Sequence, residues 1–373
     1  MATTPPPSDR APEKQTEPTR AGPPTPPPAS GTGLPPGYAG IIAVLLVVVA
    51  IGGGLAIGTI ARPRPTPPPT PSPTIATPTR TPVPTTDPRV FLQALSSGCV
   101  TRQGIWVVSN GGGLLRYDGN DWTQVDGTLR TLSAAACDER TLYAVGPVGA
   151  VLIVDDQLRQ ITSFDVTLED LLGVAAMPHG MMAVGRHGTV MLLSGGSWQP
   201  YASGIDEDLH GLIVFSPQSA WVVGAQGISY RLEVAGWRPV PTGVEATLNA
   251  IAGPTNQSAV AVGDSGTIVT LSGATWSKLE SRTDARLNAA ATAGSSAWVV
   301  GDRGVVLTIT DLFVIPAIPA KTPAVQRIDI GTTCTLSSVF VLDQDVWIVG
   351  SNGVRGGVWR LRENKVAERW GEC

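Results

Sequence analysis

The side chains best suited to proton transfer or nucleophilic attack are three histidines, His179, His187 and His210, and four of the five tyrosines, Tyr117, Tyr143, Tyr201 and Tyr230, which lie in residues 89–373. Neither set has the spacing that such chemistry requires. No H-E-x-x-H sets two imidazoles on one helical face for a metal, no G-x-S-x-G lifts a serine on a strained turn, and no Walker A loop cradles a phosphate. His179 follows Pro178 in a predicted turn, and His210 opens a predicted strand. A hydrolase of anionic sugars needs a tyrosine, a carboxylate partner and converging arginines, and no arginine recurs at a fixed interval that would gather three. The sequence therefore predicts no catalytic residue, no cofactor and no metal.

The four cysteines, Cys99, Cys137, Cys334 and Cys373, also lack metal-ligand spacing. All lie in residues 89–373, after the Pro-rich region, which suits an oxidising compartment and leaves three pairings open.

A last set of polar residues is periodic. The phrase "WVVGAQG" at 221–227 returns as "YAVGPVG" from 143, "AVGRHG" from 183, "AVGDSG" from 261, "VVGDRG" from 299 and "IVGSNG" from 348. Its middle letters are Pro147 and Val148, Arg186 and His187, Ala225 and Gln226, Asp264 and Ser265, Asp302 and Arg303, and Ser351 and Asn352. If these turns emerge together, Arg186, His187, Gln226, Asp264, Asp302, Arg303 and Asn352 form a polar ring, the candidate partner-binding face. Solvated turns need polar residues in any case, so the ring is an expectation to be tested by geometry.

The elements that position these turns follow from the same phrase. Its first glycines are Gly146, Gly185, Gly224, Gly263, Gly301 and Gly350, with Ser109 as a degenerate first member, at spacings of 37, 39, 39, 39, 38 and 49. Three positions earlier stand Trp106, Tyr143, Met182, Trp221, Val260, Trp298 and Trp347, and thirteen later stand Trp122, Trp198, Trp237 and Trp276. Each unit reads as four short strands, for example "LLGVAAM", "MMAVGRH", "TVMLLSG" and "SWQPYAS" in 171–203, with no helical period. Seven such units predict an all-β, seven-bladed β-propeller of four-stranded blades.

On that frame, the tryptophans three positions before the glycine are core, and the later set is the one place for an exposed aromatic platform. Pro147 suits the first central position of a type I turn, with the closing glycine left-handed in a G1 bulge. The long interval places about ten extra residues in "DLFVIPAIPAKTPAVQRIDIGTTC" at 311–334, read as an arm on the same face as the polar ring. The frame also pairs Cys99 with Cys137, in the inner strands of units one and two, and Cys334 with Cys373, at the two ends of unit seven.

The phrases "WVVGAQG", "AVGRHGTVMLLSGGSWQP" (183–200), "AVGDSGTIVTLSGATWSKL" (261–279) and "LLRYDGNDWTQV" (114–125) resemble the photosystem II assembly and stability factor type of propeller. More loosely they resemble the BNR or Asp-box repeats of sialidase-like propellers. The family's S-x-D-G-G-x-T-W hairpin is eroded here: "DGNDW" keeps an acidic residue, Asp118, whereas "SGGSW" and "SGATW" do not. The resemblance implies a binding or assembly role; the alternative from the same superfamily is a surface propeller that binds or hydrolyses glycans.

The rest of the chain has another composition. Of 33 prolines, 23 fall in residues 1–88, which predicts a disordered Pro-rich tail at 1–37 and a Pro/Thr-rich stalk at 62–88. Between them, residues 38–61 carry no charge and are long enough to cross roughly 30 Å of hydrocarbon, predicting a single-pass transmembrane helix, with a cleaved signal as the competing reading. Arg62 and Arg64 argue for a cytoplasmic C-terminal side, yet the stalk and the size of the following domain favour an extracytoplasmic propeller. That propeller, 89–373, carries 20 Lys and Arg against 26 Asp and Glu, which speaks against nucleic acid. The predicted partners are the membrane, through the anchor, and a protein or surface glycan.

Overall fold

A computed structural model of the chain describes residues 91, 93–125, 127–128, 130–155, 160–312 and 323–373. The tail, the apolar segment 38–61 and the stalk lie outside the described residues, among which no helix is long and apolar enough to cross a membrane.

The described chain is a seven-bladed propeller. It forms seven sheets, each of four consecutive antiparallel strands, a to d from the axis outward. The blades occupy 95–125, 134–165, 171–200, 209–239, 248–279, 287–328 and 335–371. Because the strands alternate in direction, a–b and c–d hairpins share one face, and b–c turns share the other with the connections between blades.

Strand b explains why the sequence reads as continuous apolar letters. In blade 4 it runs Ser219–Gly224, with Ala220 and Val222 packed toward blade 3 and Trp221 and Val223 toward blade 5, all 0% exposed. A strand buried on both faces has no polar side to show. The same alternation yields one apolar cluster between each pair of neighbouring blades, including the last and the first. Each fully buried Val or Leu in these wedges contributes about 1.5–3 kcal/mol.

The tryptophans divide less cleanly than their spacing suggests. Trp106, Trp221 and Trp347 are buried, whereas Trp298 is half-buried and its indole Nε1 donates to Asn364 Oδ1 at 2.8 Å. In the later set Trp122 and Trp276 are buried, which removes them as a platform, and Trp198 and Trp237 are half-buried.

The b–c turns differ from the expected type. In blade 3, Thr189 N–H donates to Arg186 O at 3.0 Å, so the central residues are His187 and Gly188, at φ 48° and 63°. Both are left-handed, the mirror-image geometry whose twist matches the flanking strands. In blade 2 Pro147 accordingly sits at the first corner, accepting from Ala150 N–H, and the central pair is Val148 and Gly149. Blade 7 departs again: its strand b continues to Ser351, and Asn352 starts a longer hairpin, its Oδ1 accepting from Val354 N–H and Arg355 N–H. Asp118 does the same for Asn120 and Asp121 in "DGNDW", an intact turn brace.

Two further placements matter. Cys99 bonds Cys137 across blades 1 and 2, and Cys334 bonds Cys373 across the two ends of blade 7. The extra residues do not precede blade 7 as expected. They follow strand c of blade 6, Val306–Thr310, and precede its strand d, Ala324–Ile328, so in chain order they interrupt blade 6; residues 313–322 lie outside the described residues. The sequence does not announce this strand d, because "AVQRI" lacks the Trp that marks it in blades 1, 3, 4 and 5.

Gly188 tests the turn. A Cβ there would stand 1.7 Å from Ile205 O in the connection to blade 4, on a left-handed backbone. Gly188→Ala is expected to lower unfolding stability by at least about 2 kcal/mol, read from the shift in urea midpoint.

Candidate functional site

The face of the b–c turns is built by the connections that run beneath them. In blades 3 to 6 the first middle residue of the turn donates its N–H to the carbonyl just ahead of its own strand a: Arg186 to Asp170 O at 3.0 Å, and Ala225 to Asp208 O, Asp264 to Thr247 O and Asp302 to Arg286 O at 2.9 Å. The second middle residue is tied forward in two blades, where Val148 N–H meets Asp170 Oδ1 at 2.9 Å and His187 N–H meets Asp208 Oδ1 at 3.0 Å. Short carboxylates thus compensate a left-handed backbone that is costly for any residue but glycine.

Side chains extend these ties into a network. Arg186 Nε lies 2.9 Å from Asp170 Oδ2, and its Nη1 lies 3.7 Å from Asp208 Oδ2. Asp264 Oδ1 accepts from Asn249 Nδ2 at 2.9 Å and pairs with Arg286 Nε at 3.2 Å. Asp302 Oδ1 accepts from Asn288 Nδ2 at 2.9 Å. Asn249 and Asn288 also donate to Leu287 O and Leu336 O, each binding its own strand a to the next blade's.

His210 occupies the same repeat position as these two asparagines, one blade earlier. It is half-buried, and burial lowers its proton affinity below that of an ordinary histidine; the charges that act on it are Asp208, Arg286, Asp264 and Arg186. Arg186 and Asp264, two of the expected ring residues, therefore share one neighbourhood around an imidazole that the sequence assigned to structure.

The other expected ring residues point elsewhere. His187 Nδ1 pairs with Glu169 Oε2 at 2.8 Å in the open, and that bond and its charge raise the histidine's pKa. Arg303 pairs with Asp284, whose carboxyl it holds below the usual range. Gln226 is exposed, and Asn352 braces its own hairpin.

A cavity of about 580 Å³ opens on this face between blades 5 and 6, lined by Ser265, Glu280, Arg282, Asp284, Arg303 and Arg327 among others. Three arginines thus line one cavity. Arg303 is paired with Asp284, whereas Arg282 and Arg327 are exposed and make no ion pair among the described residues. No tyrosine or histidine lines the cavity. Burial raises the phenol pKa of Tyr117, Tyr143 and Tyr230, which keeps each a neutral phenol. Among the described residues no group of three or more His, Cys, Asp or Glu is placed to hold a metal.

On the opposite face, Asp345 is locked between two arginines. Hydrogen bonds from Arg362, at 2.8 and 2.9 Å, and from Arg360, at 2.6 Å, hold its carboxyl below the ordinary range and consume its acceptors.

No known family profile matches the sequence, and no curated protein matches it. Solved structures do match. RRP9 WD40 repeats superpose with a TM-score of 0.57 at 10% identity, covering 69% of this chain and 87% of that one. U3-55K gives 0.59 at 11% identity, with 69% and 88% covered. YCF48 bound to D1 peptide gives 0.57 at 13%, with 79% and 95% covered. At such identities the likeness shows the propeller fold and carries no shared role by itself.

The two histidines should respond to pH with opposite signs. His187 has a raised pKa, so its contribution is complete below the unfolded value near 6.5 and is lost as pH rises through the folded value. His210 has a lowered pKa, so its contribution is complete above about 6.5 and is lost as pH falls through the folded value. His210→Asn, which copies Asn249 and Asn288, is expected to flatten the loss of stability between about pH 7 and 5, followed by urea midpoints. An unchanged slope would assign that loss elsewhere.

Proposed function

We propose that this chain is a membrane-anchored, extracytoplasmic propeller that binds a protein partner as an assembly scaffold and catalyses nothing. The observation that carries the binding reading is the cavity between blades 5 and 6, where Arg282 and Arg327 stand without carboxylate partners among the described residues, beside the Arg303–Asp284 pair. Guanidiniums left unpaired at a concave site suit carboxylates on an extended segment of another protein. The likeness to YCF48, solved bound to D1 peptide, supports a peptide-binding reading at the level of the fold, as does the resemblance of the repeat to photosystem II assembly factors. The lining has hydroxyls and carboxylates, Ser265, Thr283, Glu280 and Asp284, but no histidine, tyrosine or cysteine, and Asp284 is paired with Arg303, which favours binding over reaction.

Anchoring rests on residues 38–61, which are uncharged over a span-length stretch, and the Pro/Thr-rich run that follows favours an external stalk. A carboxylated glycan is the second reading, favoured by the same three guanidiniums.

Photo-crosslinking in intact cells tests both parts. A crosslinker at Ser265, on the cavity rim, is expected to yield one discrete protein adduct that Arg282→Ala with Arg327→Ala reduces about tenfold or more. The same crosslinker at Val234, which is 87% exposed on the opposite face, should yield none. Equal labelling from both faces would reject the site, and residues 89–373 resisting external protease on intact cells would reject the orientation.

A further inference from the structure

Six of the seven contacts between blades are backed by a peptide connection, and the seventh, between blade 7 and blade 1, is not. No strand is shared across it: all four strands of blade 7 come from 335–371 and all four of blade 1 from 95–125. A hydrogen bond does cross this seam, from Ser337 Oγ to Leu95 O, but it is long at 3.3 Å. The ring is therefore closed mainly by apolar contact.

That contact has a composition found at no other interface among the described residues. Trp347 and Trp370 of blade 7 stack at 5.4 Å with 6° between planes. Tyr117 of blade 1 lies 5.5 Å from Trp347 and 5.3 Å from Trp370, and Trp122 lies 5.9 Å from Trp370. Phe91 closes the set on Trp122 at 5.7 Å. Trp370 is the keystone, because it touches Trp347 on its own blade and both Tyr117 and Trp122 on the other. It sits near the end of strand d, Lys365–Gly371, whose first five residues are exposed.

The end of this strand is held from two sides. Trp370 reaches toward blade 1, and three residues later Cys373 is bonded to Cys334, which is 4% exposed in the cluster between blades 6 and 7. The other disulfide has a different setting. Cys99 and Cys137 lie inside strands already paired to their neighbours, and Ser97 Oγ accepts from Ala135 N–H beside them. Cys373 lies beyond the last paired residue, with no ladder partner of its own.

We propose that Cys334–Cys373 is a redox-operated catch on the closing seam, and that reducing it lets the end of strand d withdraw Trp370 and part blade 7 from blade 1. Cys373 is half-buried and Cys334 is 4% exposed, so Cys373 is the half of the bond nearer solvent. A dithiol reductant attacks it as a thiolate, displacing Cys334 as a thiolate; the reductant's second thiol then closes its own disulfide and releases Cys373. Two electrons and two protons pass from the dithiol to the protein, giving two cysteine thiols. The catch does not depend on the binding site proposed above, but an oxidising compartment is the setting in which it stays shut.

Hydrogen exchange read by mass spectrometry on the full chain tests this, comparing oxidised protein with protein reduced by dithiothreitol under native conditions. Reduction should raise exchange on the order of tenfold in 365–371 and 114–125, leaving blades 3–5 unchanged. Cys99→Ser with Cys137→Ser, kept oxidised, should retain seam protection, and Trp370→Ala should open the seam with Cys334–Cys373 intact. An unchanged seam after reduction, a rise spread evenly over all blades, or a Cys334–Cys373 bond that dithiothreitol does not reduce in the folded protein would overturn the proposal. Because reduction acts on folded wild-type chain, a Cys373→Ser variant that fails to fold does not prevent the reading.

Discussion

Backbone carbonyls from the connections press against the glycines of the b–c turns, and this contact sets how closely one blade can lie on the next. At Gly185 a Cβ would meet Asp170 O of its own blade at 2.0 Å, and at Gly188 it would meet Ile205 O of the connection leading to blade 4 at 1.7 Å. The two glycines thus have separate duties. One lets strand a start against the turn, and the other lets the next connection cross beneath it. The residues between them are held at fixed positions and angles on one face, and their side chains are left to vary.

This arrangement explains the distribution of charge. Where the middle letters carry ionisable groups, in blades 3, 5 and 6, the connections supply the counterparts Asp170, Glu169, Arg286 and Asp284. In blade 2, Val148 is 54% exposed and Leu168, in the following connection, is 88% exposed. One face therefore has an ion-paired sector and an apolar corner on a single repeated backbone. Exposed pairs of this kind contribute little to stability, because water and salt screen them. Their sequence can change at small cost to the fold, which is the condition for a recognition surface.

The fold was legible because period and burial coincide. Trp221 and Val223 alternate with Ala220 and Val222, and a strand buried on both faces, repeated at 39 residues, admits few architectures. What stayed hidden is what a repeat does not encode. Arg282 and Arg327 keep no phase with the turns, so nothing in the spacing announced that they flank Arg303. Asn249 and Asn288 do keep phase, together with His210, and a search at that interval could have found them. The twist that selects a left-handed Val148 is a property of paired strands, invisible in "GPVG". The insertion was misplaced since "AVQRI" lacks strand d's tryptophan.

The glycines, then, are architecture, while the letters between them, with the connections beneath, are a recognition surface. The most direct measurement replaces Arg186-His187 and Asp302-Arg303 by the Ala-Gln pair that blade 4 already carries and Asp264 by Ala, keeps position 265 for the crosslinker, and records the urea midpoint beside the yield of the partner adduct in cells. The expected result is a urea midpoint close to that of the unaltered chain and loss of the adduct. A folded variant that captures its partner undiminished would contradict the division between glycine and letter.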